Sequence, residues 1–274
     1  MGRGHHGNPA ASIKLDQAYG IPVLFSGVAT LVLKKSEIEL IDHHLKLTTQ
    51  NLMRLPKCTP RCVVFFLSGT LPGTAALHSR QLTLFGMITR LPSNILNRHA
   101  RNMLVAGKPS QKSWFSNIRN VCLLYGLPHP HSLLEFPPSK DAFKTLVKKK
   151  IMSYWEIKLR SEATGLTSLK YFHPNFMSLC SSHPLWLTAG SSPYEVTKAT
   201  IQARMLSGRY RIEQLCRFWS ENRNGFCLAP SCIGQEQEED LFHLLASCPS
   251  WHEARVLLGS FTLKYCQNVH PQVQ

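Results

Sequence analysis

Residues 139–159, SKDAFKTLVKKKIMSYWEIKL, decide the fold class of this chain. Their apolar side chains recur every four residues, at Phe143, Val147, Ile151 and Trp155. Side chains at this spacing lie on one face of an α-helix, so the pattern indicates a helix with one buried side. Ser139 precedes the pattern and can cap the first helical turn. The stretch therefore predicts one long amphipathic helix.

Helical spacing also occurs on both sides of this stretch. Upstream, Ser36 followed by Glu39 has the pattern of a capping box, which predicts a helix over residues 37–53. Strand-like alternation is scarce and no internal repeat is evident. We therefore predict a mainly α fold, with irregular helical domain(s) and a small C-terminal zinc-knuckle-like module. The further helices are predicted at about residues 75–90, 93–105, 113–125, 194–206 and 211–219.

Prolines and composition divide the chain into segments. The N-terminus is rich in Gly and His without an apolar core, which is typical of a disordered leader. Prolines crowd residues 128–138 and indicate a domain boundary there. The predicted segments are a leader at 1–18, helical regions at 19–127 and 139–220 flanking the connector at 128–138, the zinc-knuckle-like module at 221–252 and a tail at 253–274.

Cys227, Cys232, His243 and Cys248 form a Cys-x4-Cys-x10-His-x4-Cys array near the C-terminus. Zn²⁺ binds thiolate sulfur and imidazole nitrogen tetrahedrally, and a closed Cys3His set leaves no open position for catalysis. Acidic residues just before Leu241 favour a helical turn that carries His243, and Pro249 ends it. The array predicts one structural zinc ion. The alternative is three buried thiols beside a core histidine.

The net charge of +15 is concentrated in the middle of the chain. Residues 51–150 carry +13, whereas residues 221–274 carry −3. A clustered positive charge of this size favours a polyanionic partner, RNA or DNA, bound with little sequence preference. A membrane surface is the weaker alternative, since no basic amphipathic helix stands out.

Basic residues interleaved with aromatic residues are the candidate nucleic-acid contacts. Arginine and lysine can bind phosphates, while aromatic rings can stack on unpaired bases. The alternative is that the rings are core and the charges are solvated. The candidates are Lys112 and Arg119, which flank Trp114 and Phe115, and Arg204, Arg209, Arg211 and Arg217, which accompany Tyr210 and Trp219.

Cellular location is predicted from the cysteines and the N-terminus. Nine cysteines, an odd number, without a signal peptide favour a reducing compartment, the nucleus or the cytoplasm. The longest apolar stretch, Ile21–Leu33, is too short to span a bilayer. Lys148-Lys149-Lys150 is either a nuclear-import patch or a solvated helical face.

The sequence does not contain the residue patterns of common catalytic sites. Its four aspartates are dispersed, whereas two-metal phosphoryl transfer needs carboxylates that converge on a metal pair. A phosphate-binding Gly-rich loop, a Gly-x-Ser-x-Gly elbow and a His-Glu-x-x-His helix are also missing. We therefore predict that the chain is not an enzyme and assign no catalytic residue.

Three segments resemble the region after the palm in reverse transcriptases of non-LTR (LINE-like) retrotransposons. They are PVLFSG at 22–27 with the capped helix and LMRLP at 52–56, ARMLSGRYR at 203–211, and the Cys-Cys-His-Cys array that follows. The resemblance spans roughly residues 19–252. It implies a thumb-like region at 19–127, a helical linker at 139–220 and a zinc knuckle. The family's palm aspartates have no counterparts here, so the resemblance carries over only the four knuckle ligands.

Two classes of function follow. The first is a catalytically inactive, retrotransposon-derived fragment that binds RNA or single-stranded DNA through its basic helical region and a structural zinc knuckle. The second is a zinc-dependent protein-interaction module, because the acidic segment 221–274 does not by itself attract phosphate. A further possibility is the non-catalytic tail of a larger reverse transcriptase.

Overall fold

The structure is a computed structural model that separates into two compact units, Met1–Gly208 and Arg209–Gln274. Each unit is described by itself. The residues described are 7–91, 95–106, 113–166, 168–169, 172–210, 224–240 and 242–256.

The first unit is built from helices, which confirms the mainly α prediction. Three short irregular turns accompany them, a π-helical turn at Asp16–Gly20 and 3-10 turns at Val28–Thr30 and Pro174–Phe176. The predicted helix at 211–219 lies outside the described residues. The helices are α1 (Pro9–Leu15), α2 (Ile21–Leu24), α3 (Lys35–Leu52), α4 (Arg61–Ser68), α5 (Gly73–Thr89), α6 (Ile95–Ala106), α7 (Trp114–Leu124), α8 (Pro130–Glu135), α9 (Lys140–Thr164), α10 (Pro184–Thr188) and α11 (Pro193–Leu206).

Helix α9 confirms the spacing from which it was predicted. Its buried side chains are Phe143, Val147, Ile151, Trp155, Leu159 and Ala163, one in every four residues. Ser139 accepts a hydrogen bond from the Ala142 N–H and caps the helix as expected. At its N-terminal end α9 packs against α5, where a Cβ added to Gly86 would lie 2.6 Å from the Phe143 ring. The absence of a side chain at Gly86 therefore allows the two helices to approach closely.

Helix α4 is the centre of the core, because every residue from Cys62 to Ser68 is buried. An eight-residue helix with no polar face is typical of a core helix rather than a surface one. Among the described residues no single helix is long and apolar enough to cross a membrane. Helices α4 and α5 meet that criterion only as a pair, across a 60° bend.

The N-terminal ends of two elements differ from the sequence prediction. Helix α3 starts after Lys34, whose N–H donates to the Glu37 carboxylate at 2.7 Å, so the predicted cap at Ser36 is wrong. Residues 9–15 form helix α1, with Ala10 and Ile13 buried, although residues 1–18 were predicted as a disordered leader. Asn8 caps α1 and also donates to the Trp186 carbonyl at 2.8 Å, a long-range contact that local composition does not reveal.

The Pro-rich connector at 128–138 forms part of the same core. Pro130 starts helix α8, in which Leu133 and Leu134 are buried. The Arg101 guanidinium donates to the Leu134 carbonyl at 2.6 Å. One apolar cluster includes residues on both sides of the connector, from α4 through α11. Proline here opens a helix rather than separating two domains.

A buried polar group links α5, α7 and α9. His78 Nδ1 lies 2.9 Å from the Tyr125 hydroxyl, which also accepts from Trp155 Nε1 at 3.1 Å. Burial lowers the pKa of His78 from 6.5 to about 4, and the charge of Asp42 opposes this only in part. The histidine is therefore neutral in the folded protein at neutral pH.

We expect the first unit to lose stability as the pH falls from 6.5 to 4. The unfolded chain binds a proton at His78 in that range and the folded chain does not, so the loss from this residue reaches about 3 kcal/mol at the acidic end. Urea unfolding at pH 7.5 and pH 5 measures it. His78→Gln should reduce the dependence to the part contributed by His183, whose pKa is also lowered by burial, whereas His43→Gln, at an exposed position, should leave it unchanged. An equal pH dependence in His78→Gln would contradict this assignment.

Candidate metal centre

The first two thiols of the Cys3His array lie on a tight turn in the second unit. Phe226 and Glu238 form an antiparallel bridge, and the Cys227 N–H donates to the Gln237 carbonyl at 2.8 Å. The Cys232 N–H turns back to the Ala229 carbonyl at 2.8 Å. These backbone bonds bring Cys227 and Cys232 to one side of the loop, as their x4 spacing predicted.

The other two ligands lie at either end of one helical turn. The Asp240 carboxylate accepts from the His243 N–H at 2.6 Å, at the start of this turn, His243–Ser247. The turn is π-helical, and the Cys248 N–H donates to the His243 carbonyl at 2.7 Å. Pro249 follows directly and stops the turn. The acidic start, the helical histidine and the proline stop were all expected from the sequence.

The four ligand atoms converge on one point. All lie within 4.8 Å of one another, and all four residues are buried. Cys232 Sγ lies 3.7 Å from Cys248 Sγ and 3.5 Å from His243 Nε2, and Cys227 Sγ lies 3.9 Å from Cys248 Sγ. These separations are too long for a disulfide. The group has the composition and geometry to hold one metal ion.

Burial keeps the Cys227 thiol protonated in the absence of a cation. Desolvation raises the pKa of this thiol to about 12, and the neighbouring thiols add to the effect. Several thiolates can occupy one dry site only when a positive charge neutralises them, and a coordinated cation deprotonates the thiols that bind it. The site can therefore take up a cation with the release of protons.

The second unit has almost no core apart from these ligands. Its buried apolar cluster consists of the three cysteines, with Ala229 packed against them, in the described residues. Phe242 and Trp251, two large aromatic side chains close to the ligands in sequence, are 63% and 51% exposed. Hydrophobic packing alone does not explain why this unit is ordered.

Of the candidate nucleic-acid contacts, the two in the described part of the first unit, Arg119 and Arg204, lie on different helices and bind different carbonyl groups. Arg119, on α7, donates to the Leu104 carbonyl at 2.8 Å, and Arg204, on α11, donates to the Arg54 carbonyl at 2.8 Å. Both guanidinium groups thus stabilise backbone segments of the first unit. Arg209 begins the second unit, while Lys112, Arg211 and Arg217 lie outside the described residues.

The aromatic neighbours of Arg119 are structural in the same way. Trp114 Nε1 donates to the Ala29 carbonyl at 2.9 Å, and its ring meets Phe115 edge to face. Both rings pack against the main core. Here the structure supports the alternative that these rings belong to the core.

A row of lysines on α9 was missed in the sequence, where only its last member, Lys148, was noted within the run Lys148-Lys149-Lys150. Lys140, Lys144 and Lys148 are exposed and lie four residues apart, so they share one face of the helix, about 6 Å apart along its axis. Within the described part of the chain none of them pairs with a carboxylate. The signal was present, because Lys144 and Lys148 each follow a residue of the buried stripe by one position, and Lys140 lies one turn before Lys144. We call this set the α9 lysine row.

The chain was compared with known proteins at three levels. No protein-family model, no curated protein and no solved structure matches it.

Proposed function

We propose that Cys227, Cys232, His243 and Cys248 bind one structural Zn²⁺. In a tetrahedral site with Zn–S bonds of about 2.3 Å and Zn–N bonds of about 2.0 Å, ligand sulfurs lie about 3.8 Å apart and sulfur and nitrogen about 3.5 Å apart. The observed separations of 3.7, 3.9 and 3.5 Å agree with both values. Three soft thiolates and one imidazole favour Zn²⁺ over the harder Mg²⁺ and Ca²⁺.

The metal would act as the core of the second unit. Four protein ligands complete the coordination of zinc, so no position remains for a substrate or an activated water. The role that this supports is a structural one, as in a zinc knuckle. The weak apolar packing of the unit is the observation that carries the zinc proposal.

We propose further that the chain is a non-catalytic protein that binds RNA or single-stranded DNA, as the retrotransposon resemblance implies. The carrying observation is the α9 lysine row, three exposed and unpaired cations on one face within the described residues. Lysines at regular spacing can follow the phosphates of a strand without reading its sequence. In the parent family such a region would hold the nucleic acid while another domain performs the chemistry.

Strand affinity should fall steeply with salt. If about five phosphates are contacted, the log–log slope is about −3.5 for a single strand. Lys140→Gln with Lys144→Gln removes two contacts and should bring the slope to about −2. Fluorescence anisotropy with labelled oligonucleotides between 50 and 200 mM salt measures both slopes, because the screening of exposed charges increases over this range. The control is Lys34→Gln with Lys35→Gln, two exposed positions outside α9 and outside the basic region 51–150, which should change neither slope nor affinity. A slope near zero for the unmodified protein would remove the proposal.

A protein-docking role for the zinc unit is the second candidate. Phe242, Leu245 and Trp251 are at least half exposed, next to an acidic segment that does not attract phosphate. Comparing the strand affinity of Cys248→Ser with that of the unmodified protein separates the two. Unchanged affinity would favour docking of a protein partner by this unit, and reduced affinity would favour a role in nucleic-acid binding.

A further inference from the structure

The first unit contains a cavity of about 540 Å³ between α1, α4, α9 and the turn at 180–182. This volume falls within the range of small-molecule sites. Its lining combines a polar part, made by hydroxyl groups and two lysines, with an apolar part made by Ile21, Leu71 and Leu187. None of the zinc ligands and none of the candidate arginines takes part in it.

The lining of the cavity carries positive charge only. Lys14 comes from α1 and Lys148 from α9, and the lining includes no aspartate or glutamate. Among the described residues neither ammonium group forms an ion pair. Burial raises the pKa of the Cys180 thiol on the cavity wall, the positive charge of Lys148 opposes that rise, and the negative charge of Glu156 adds to it. The Glu156 carboxylate accepts from the Leu179 N–H at 3.0 Å and is not part of the lining. An anion entering the cavity would therefore meet two cations on its wall.

The turn at 180–182 adds hydrogen-bond donors. Within the described part of the chain, the N–H groups of Cys180, Ser181 and Ser182 donate no hydrogen bond, nor do the two serine hydroxyls. Cys180 has a left-handed backbone with φ +63°, and consecutive free N–H groups around such a residue can form an anion-binding concavity.

The position of this turn is fixed by its contacts with α4. A Cβ on Gly69, at φ +67°, would lie 2.2 Å from the Ser181 carbonyl oxygen, so the two backbones are in direct contact. The His183 N–H donates to the Leu67 carbonyl at 3.4 Å, and Trp186 Nε1 donates to the same oxygen at 2.9 Å. The donors are thus held beside the cavity by the core, before any ligand binds.

We propose that this cavity binds the phosphate group of a nucleotide-sized ligand. Lys14 and Lys148 would neutralise the phosphate, Ser181 and Ser182 would donate to its oxygens, and the apolar wall would receive the base or sugar. This site goes beyond the strand-binding function. It recognises one phosphate in a concave site, whereas the α9 lysine row follows several phosphates along an open helix face.

The test is calorimetric titration of the full-length protein with adenosine 5′-monophosphate, adenosine and inorganic phosphate. Adenosine 5′-monophosphate should bind at least about tenfold more tightly than adenosine, because only the former satisfies the two lysines. Lys14→Gln with Lys148→Gln should weaken its binding by about tenfold or more. Lys35→Gln with Lys57→Gln removes the same charge elsewhere and should change the affinity by less than about twofold.

A second variant distinguishes loss of the ligand contacts from misfolding of Lys14→Gln with Lys148→Gln. Ser181→Ala with Ser182→Ala keeps both charges and should weaken phosphate binding by about threefold through lost donors. Inorganic phosphate binding as tightly as the nucleotide would support the phosphate site and identify free phosphate as its ligand. No binding of either phosphate compound, or an equal loss in Lys35→Gln with Lys57→Gln, would overturn the proposal. Lys148 belongs to both the cavity and the α9 lysine row, so Lys140→Gln with Lys144→Gln separates the two proposals: it should weaken strand binding and leave the affinity for adenosine 5′-monophosphate unchanged.

Discussion

Cys248→Ser should eliminate zinc binding and unfold the second unit, while the helices of the first unit remain. Cys248 is fully buried, and its Sγ lies within 4 Å of the Sγ atoms of Cys227 and Cys232. Zinc coordination contributes on the order of 10 kcal/mol in small zinc modules. The described part of this unit has no apolar core that could replace such a contribution. The expected change is from one zinc per chain to none, measured by elemental analysis and by amide hydrogen exchange of residues 224–256.

The matched control for this substitution is Cys58→Ser. Cys58 is exposed and belongs to the first unit, so zinc content and exchange should both stay unchanged. Cys216 and Cys266 are expected to be bystanders as well, and both lie outside the described residues. Protein prepared under reducing, chelator-free conditions that contains no stoichiometric zinc would refute the site. It would also remove the strongest support for the retrotransposon resemblance.

The zinc array could be predicted from the sequence because its determinants are local. Two cysteines across a four-residue turn, and a histidine and a cysteine at either end of one helical turn, are brought together by nearby backbone bonds. Helix α9 was predictable for the same reason, since the spacing of Phe143 and Val147 already defines its buried face. Each pattern needs only residues within one element.

Features that depend on long-range contacts could not be predicted in this way. The helix at Pro9–Leu15 is fixed by Asn8, which binds a carbonyl 178 positions away in sequence. Arg204 has the composition of a phosphate contact, yet it binds the Arg54 carbonyl 150 positions away. Composition gives the chemical capacity of a side chain, whereas its partner is decided by which segments the fold places beside it.

The cavity proposed to bind phosphate could not be predicted from the sequence either. Lys14, Lys148 and Ser181 share no motif, and no spacing rule connects them. They become a candidate site only when α1, α9 and the turn at 180–182 meet around α4. Sequence reasoning detected the positive charge of the middle region but not the concave surface to which Lys148 contributes.

Trp186→Ala should destabilise the whole first unit by about 3–5 kcal/mol, because it leaves a large cavity in the core. Trp186 is fully buried, and its Nε1 donates to the Leu67 carbonyl of α4 at 2.9 Å. Its own carbonyl accepts from Asn8. The Trp186 side chain therefore joins α10 to helix α4, while its main-chain carbonyl, which Trp186→Ala retains, joins α10 to the cap of α1. Trp186→Phe, which keeps most of the volume but loses the N–H donor, should cost about 1–3 kcal/mol.

The same substitution tests whether residues 128–138 separate two domains. Trp186 follows this segment in sequence, whereas Leu67 precedes it. If the segment were a domain boundary, Trp186→Ala would give a biphasic unfolding curve. Helices α3–α7 would then unfold at a higher urea concentration than the helices after the segment. A shared core requires one transition that shifts as a whole, which circular dichroism at the helical band would report.

Leu187→Ala is the neighbouring control. Its side chain is 57% exposed, so its midpoint should remain close to that of the unmodified protein. Zinc content should be unaffected in all three variants, because the metal ligands belong to the second unit. Two separate transitions in Trp186→Ala would instead restore the connector as a domain boundary.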